Sequence, residues 1–324
     1  MHALARLLVT AAVLCPACAP DEDDLLAAAG DDEVAFRMPT TFGTGTASGG
    51  GTVFNTNYYG DDRLPELRMP FMTQHNGVRL KKVTLVGGEQ LTDLEVVDGE
   101  LIGTDGDGNP HAGATLIGSE WTLIIDGAGE PLMLTDMHVV DGVPHYSFTH
   151  PDNFYKLWAS TCRTDTPGVE IPARLLSGFT LDEKSGAVTP LAGTTYFACL
   201  NGATGKAAEW GYYDLAVALA TFEPFEAAIR VIRADYCYNG DSYTHAGVEL
   251  AVEDRWGVMS AAGHEDAPVE AVWGADRLLC RGQGRSKPVP LACGDKKLIP
   301  DCPADASLET VPGADFITRV PLNK

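Results

Sequence analysis

No apolar run in this 324-residue chain is long enough to cross a bilayer: the first, Leu7 to Leu14, has eight residues, and no later one reaches the required length. Positive charge is also scarce. The 23 Lys and Arg stand against 45 Asp and Glu, for a formal net charge of -22 and a sequence pI near 4.6. With no basic cluster to offset it, such a field repels phosphate backbones and anionic headgroups, which argues against nucleic-acid binding. GxSxG, HExxH, Walker and GxGxxG patterns are absent, which disfavours the familiar hydrolases, nucleotide enzymes and dehydrogenases. Beyond residue 18 there is no CxxC pair, so neither a zinc ribbon nor a thioredoxin-like redox centre is expected.

What is present begins with an export signal. Arg6 precedes LLVTAAVL, and the segment 1–17 reads as a signal peptide. Cleavage after Ala19 would leave Pro20 first, a poor substrate for ordinary signal peptidase, whereas cleavage between Ala17 and Cys18 resembles processing at a bacterial lipobox. Cys15 departs from that pattern, since Leu14 sits one place too early. Cys18 is therefore the expected lipidation site, giving a membrane tie through a lipid anchor and an extracytoplasmic location in a bacterial envelope. Residues 18–52 read as a tether, because Asp21, Glu22, Asp23, Asp24, Asp31, Asp32 and Glu33 repel one another before the flexible run SGGGT.

The remaining chain, in a sequence that is 45% hydrophobic, has enough apolar residues for a sizeable core. Over 53–158 short runs such as VRLKKVTLV and WTLIID alternate with Asp-Gly pairs at 98–99, 126–127 and 141–142, whose tolerance of positive φ suits tight hairpins. This predicts an antiparallel β region, a sandwich or a small barrel. Helical signals follow at about 203–236. Phe225, Ala228, Ile229, Ile232 and Tyr236 recur at helical spacing, Pro224 suits a first turn, and Glu226 precedes Arg230 by four. Strand-like alternation then resumes in VELAVEDRWGV and PVEAVWG. The fold class expected is α+β, an antiparallel β-rich N-terminal part followed over 159–324 by a disulfide-stapled domain with a short helical pair and further strands. Cys162, Cys199, Cys237, Cys280, Cys293 and Cys302 form an even set, so three disulfides are the default in an oxidising compartment, with spacing alone leaving the pairing open.

Candidate chemistry is sparse. Cys237 lies near Asp235 and His245 in sequence, but a nucleophilic cysteine needs a free thiolate, which an exported protein with an even cysteine count usually oxidises. His138, His145 and His150, with Asp136 and Asp141, have the donor types that suit zinc, yet no spacing of a known site; on one strand His138 and His145 would face opposite ways. They are expected to be solvated or hydrogen-bonded, with no metal and no cofactor. Asp105-Gly-Asp-Gly-Asn109 resembles the opening of a calcium loop, but Pro110 and Leu116 stand where an EF-hand needs Gly and Glu, so a polar hairpin turn is expected. Asp235, at a helix end, is expected to satisfy backbone donors.

Ala234, Asp235, Tyr236 and Cys237, preceded by RVIR and followed by Gly240 and Thr244, resemble the signature of the bacterial ADYC-domain family. TTYFACLNGATGKAAEWGYYDLA (194–216), EAVWGADRLLC (270–280) and AGATLIGSEWTLIIDG (112–127) resemble other segments of it in the same order. The resemblance implies an exported, often lipid-anchored protein whose molecular task it does not specify. The family has Cys where this chain has Ala207 and Ala228, and Gly-Asp at Tyr238-Asn239. The paired loss of two cysteines implies that they are bonded in relatives, leaving Cys162–Cys199, Cys237–Cys280 and Cys293–Cys302 here. Taken together, the expectation is a non-catalytic binding or structural envelope lipoprotein, with its protein or glycan partner unidentified. The alternative is an envelope hydrolase with an unfamiliar site near Asp235, Tyr236 and His245.

Overall fold

A computed structural model describes residues 53–152, 157–166, 169–245, 247–294 and 297–320. The expected signal segment, Cys18 and the tether lie outside the described residues. The three Asp-Gly pairs form the turns that their residue types dictate: Asp98, Asp126 and Asp141 each adopt φ 50, followed by Gly99, Gly127 and Gly142 at φ 79, 86 and 82. Each closes an antiparallel hairpin, joining Leu91–Val97 to Glu100–Asp105, Glu120–Ile125 to Ala128–Val140, and Ala128–Val140 to Val143–Pro151.

Two of these hairpins belong to a nine-stranded antiparallel sheet. Across it run Glu66–Arg68, Val188–Cys199, Ala173–Leu181, Val143–Pro151, Ala128–Val140, Glu120–Ile125, Val78–Thr84 and Gln74–His75, with Trp158–Ser160 paired to Val143–Pro151. The two end strands lie against one another, and His75 Nε2 meets Glu66 Oε2 at 2.5 Å between them, so the sheet curls towards a barrel. Alternation in Glu120–Ile125 turns Trp121 and Leu123 inward, where Trp121 meets Phe148 edge-on at 5.3 Å and Phe148 meets Phe197 at 5.1 Å. The sheet takes strands from both sides of residue 158: Glu66–Arg68 pairs with Val188–Cys199. The boundary expected at 158–159 thus falls inside a continuous sheet, because the buried face is completed by strands distant in sequence.

The expected helical stretch divides into three helices, α1 (Ala203–Glu209), α2 (Tyr212–Ala218) and α3 (Glu223–Arg233). Pro224 occupies the first turn of α3, where its missing N–H costs nothing, and Phe225, Ala228, Ile229 and Ile232 are buried. Each large apolar side chain contributes about 1.5–3 kcal/mol by leaving water. Beyond α3 a four-stranded antiparallel sheet runs in the order Ala251–Asp254, Phe316–Arg319, Val269–Trp273, Leu278–Arg281. Its inner face, with Trp273, Leu278 and Phe316, packs into the same core as the helices; its outer face carries Val272, Cys280 and Ile317 into a smaller cluster. The fold is α+β, rich in antiparallel sheet.

The faces of this second sheet decide the disulfides. Cys162 pairs with Cys199, Cα to Cα 5.6 Å, as the resemblance implied. The other two implied pairings are overturned: Cys237 bonds Cys293 (5.2 Å) and Cys280 bonds Cys302 (4.8 Å). Cys280 points to the outer face, away from the face on which residues 234–237 pack, so it is directed away from Cys237. Arg281 N donating to Pro300 O, and Cys302 N to Arg281 O, bring Cys302 beside it instead.

Candidate functional site

Residues 234–237 sit where α3 must stop. Ala234 adopts the left-handed conformation, φ 53, and the next amide, Asp235 N, donates back to Arg230 O at 2.9 Å. The Asp235 side chain is fully buried and accepts from Asn239 N and Gly240 N, both at 3.0 Å, and from Arg230 Nη1 at 2.8 Å. Burial pushes its carboxyl above the ordinary range, against the opposite pull of the two amides and Arg230. Arg230 reaches further, to Glu226 Oε1 at 2.7 Å and Ser185 O at 3.0 Å, with its guanidinium 4.9 Å from the centre of the Tyr238 ring. Gly240, at φ 85, lies so close to Lys184 that a Cβ there would overlap the Lys184 carbonyl oxygen. The turn after the tetrapeptide is therefore pressed against the 182–186 turn, and only glycine fits.

Tyr236 points into the core. Its ring stacks on Trp273 at 5.4 Å, and its hydroxyl donates to Glu270 Oε1. Glu270 is gripped by Arg285, Nε to Oε1 at 2.6 Å and Nη2 to Oε2 at 2.8 Å. Both charged side chains are almost wholly buried. Arg285 also donates to Val231 O at 2.9 Å and Ile232 O at 3.3 Å, so it closes the end of α3 that the tetrapeptide leaves. Burial, and then the Glu270 charge, raise the Tyr236 phenol far above its ordinary range. Cys237 completes the group by bonding Cys293. Glu270, Arg285 and Trp273 were not singled out from the sequence, and Arg230 only as the residue four after Glu226 on the helix. Strand alternation in VEAVW gives Glu270 a face, but nothing local marks Arg285 as its partner.

The hydrolase triad does not assemble as an open site. Asp235 and Tyr236 have no exposed surface and are saturated with partners, while His245 is exposed. Beside the motif lies a cleft of about 330 Å³, walled by Tyr238, the Cys237–Cys293 bond, Leu278 and Ile299, with the exposed Asp276 and Arg277 also in its lining. The Asp105 loop is the expected hairpin turn. Asp105 Oδ1 accepts from Asp107 N and Asn109 N, both at 2.9 Å, and its Oδ2 accepts from Asn109 Nδ2 and contacts His111 Nε2, both at 3.0 Å. His111 and Asn109 hold its carboxyl well below the usual range, and the oxygens are spent within the turn.

The histidines separate into two places. His150 packs its ring 4.7 Å from Tyr59 and donates Nδ1–H to Pro151 O. His138 and His145 stand directly across from one another, because the Asp141-Gly142 turn divides them between two strands, and their ring centres are 5.5 Å apart. Asp136 Oδ2 lies 3.6 Å from His138 Nδ1. Among the described residues no three His, Cys, Asp or Glu side chains are placed to hold a metal ion together.

Compared with known proteins, residues 113–287 match the family model described as the ADYC domain. No curated protein and no solved structure matches the chain. The match spans six strands of the nine-stranded sheet, helices α1 to α3, the tetrapeptide and the Glu270–Arg285 pair that anchors it, and the chain belongs to the ADYC-domain family.

Proposed function

We propose that the protein is a non-catalytic binding or structural protein of the bacterial cell envelope, tethered by lipid on Cys18 and presenting a disulfide-held body. The observation that carries this reading is the burial of Asp235 and Tyr236, whose polar atoms are consumed by Arg230, two backbone amides and Glu270. A catalytic carboxylate or phenol needs a face open to substrate. Three disulfides fit an oxidising, extracytoplasmic compartment.

Two experiments test the two halves. Fatty-acid labelling of the full chain in a bacterial host should follow the protein and vanish in Cys18→Ala; label that persists, or a mature N-terminus at Pro20, refutes the anchor. Tyr236→Phe should lower thermal stability without removing any specific activity. Turnover of an ester, amide, phosphoester or glycoside probe that Tyr236→Phe abolishes at unchanged thermal stability would establish the hydrolase instead.

A further inference from the structure

The hairpin of Ala128–Val140 and Val143–Pro151 carries an arrangement that the family motif does not use. His145 is buried, 2% exposed at its side chain, and its Nε2 lies 3.0 Å from Glu209 Oε1 on α1. A carboxylate only accepts, so Nε2 donates to it, and in the neutral ring Nδ1 then keeps the bare lone pair. Among the described residues no donor reaches that Nδ1, although the atom is buried. The imidazole across the strand pair, His138, is 46% exposed and its ring centre is 5.5 Å away.

We propose that His138 and His145 form a two-imidazole chelate for a divalent transition-metal ion, with Glu209 orienting His145 from behind. Metal–nitrogen bonds of about 2.0–2.1 Å place the centres of two rings on one tetrahedral ion about 5 Å apart, close to the separation already present. A ligating histidine ordinarily gives its other ring N–H to a carboxylate, which fixes its tautomer and raises its basicity; Glu209 occupies that role. The charges around the pair are Asp136 beside His138, Glu209 beside His145, and Arg174, whose Nε is 3.8 Å from Glu209 Oε1 and whose Nη2 is 3.2 Å from Asp214 Oδ1. Arg174 thus shares Glu209 with His145 and has Asp214 as a second carboxylate, and the hairpin side carries Asp136 as a further anion. Two protein ligands leave the remaining positions to water, so binding is reversible and follows the order in which Cu²⁺ exceeds Zn²⁺.

The test is titration of the folded, oxidised full chain with Cu²⁺ alone, read by calorimetry and by the electron paramagnetic resonance of nitrogen-coordinated copper. Wild type should show a saturable high-affinity phase with nitrogen coordination. His138→Gln, a change at a half-exposed position, should remove that phase with unchanged thermal stability of the metal-free protein. Glu209→Gln should weaken it by roughly 10–100-fold. An identical isotherm in His138→Gln, or wild type with no nitrogen-coordinated copper, overturns the proposal.

Discussion

Arg285→Met is the sharpest perturbation of the network beneath the tetrapeptide. Arg285 and Glu270 are both almost wholly buried and meet through two parallel bonds of 2.6 and 2.8 Å. Removing the guanidinium leaves the Glu270 charge in the core with only the Tyr236 hydroxyl for company, and breaking a buried pair from one side costs about 3–5 kcal/mol. The same change takes a donor from the Val231 and Ile232 carbonyls at the end of α3, worth about 1 kcal/mol each. The expected loss, roughly 5–7 kcal/mol, is a large share of the roughly 5–15 kcal/mol that holds a typical domain together. Arg285→Met combined with Glu270→Gln removes the stranded charge while the amide oxygen still accepts from Tyr236, so the double variant should regain several kcal/mol. Urea unfolding with all three disulfides intact, followed by the fluorescence of Trp273 and its neighbours, measures both. A single-variant cost under about 1 kcal/mol, or a double variant no more stable than the single one, would refute the reasoning.

Gly240→Ala should cost about 1–3 kcal/mol, since a side chain at φ 85 is strained and would strike the Lys184 carbonyl; unchanged urea stability would show that the turn is not held there. Burial lowers the Lys206 ammonium from 10.5 to about 8, so between those pH values the unfolded chain holds a proton that the folded one lacks. The contribution of Lys206 to stability is therefore present above pH 10.5 and is lost as pH falls towards 8. The stability of Lys206→Met relative to wild type should therefore fall by about 3 kcal/mol between pH 7 and pH 10.5, and a difference that stays constant over this range would contradict it. Ala207 and Ala228 are fully buried in one core on packed helices α1 and α3, so Ala207→Cys with Ala228→Cys should form a fourth disulfide worth roughly 3 kcal/mol; two free thiols in the purified double variant would refute this.

Local chemistry was legible in the sequence and long-range pairing was not. Asp98-Gly99, Asp126-Gly127 and Asp141-Gly142 announce their turns because positive φ is a property of the residues themselves. The apolar face of α3 shows in Phe225, Ile229 and Ile232 because helical periodicity is likewise local. The bonds of Cys237 and Cys280 depend instead on which face of a sheet each strand residue takes and on what covers that face, and neither is fixed until Phe316–Arg319 enters between its neighbours. His138 and His145 illustrate the same limit in miniature. Along one strand their spacing sends them to opposite faces, but a turn at 141–142 folds the strand back and sets them side by side.

The position of the tetrapeptide bears on where function resides. Ala234 ends α3, Asp235 binds that helix to its own exit turn, Tyr236 reaches the four-stranded sheet through Trp273 and Glu270, and Cys237 reaches the 293 segment through its disulfide. Four consecutive residues thus join three elements that the Arg285 bonds and the shared core also tie together, and each is spent on that task. A substitution among them changes the packing of all three elements at once, so a lost phenotype in such a variant reports folding before it reports activity. Surface positions away from this node, such as His138 on its hairpin, can be altered while the body stays intact, and variants there separate function from stability.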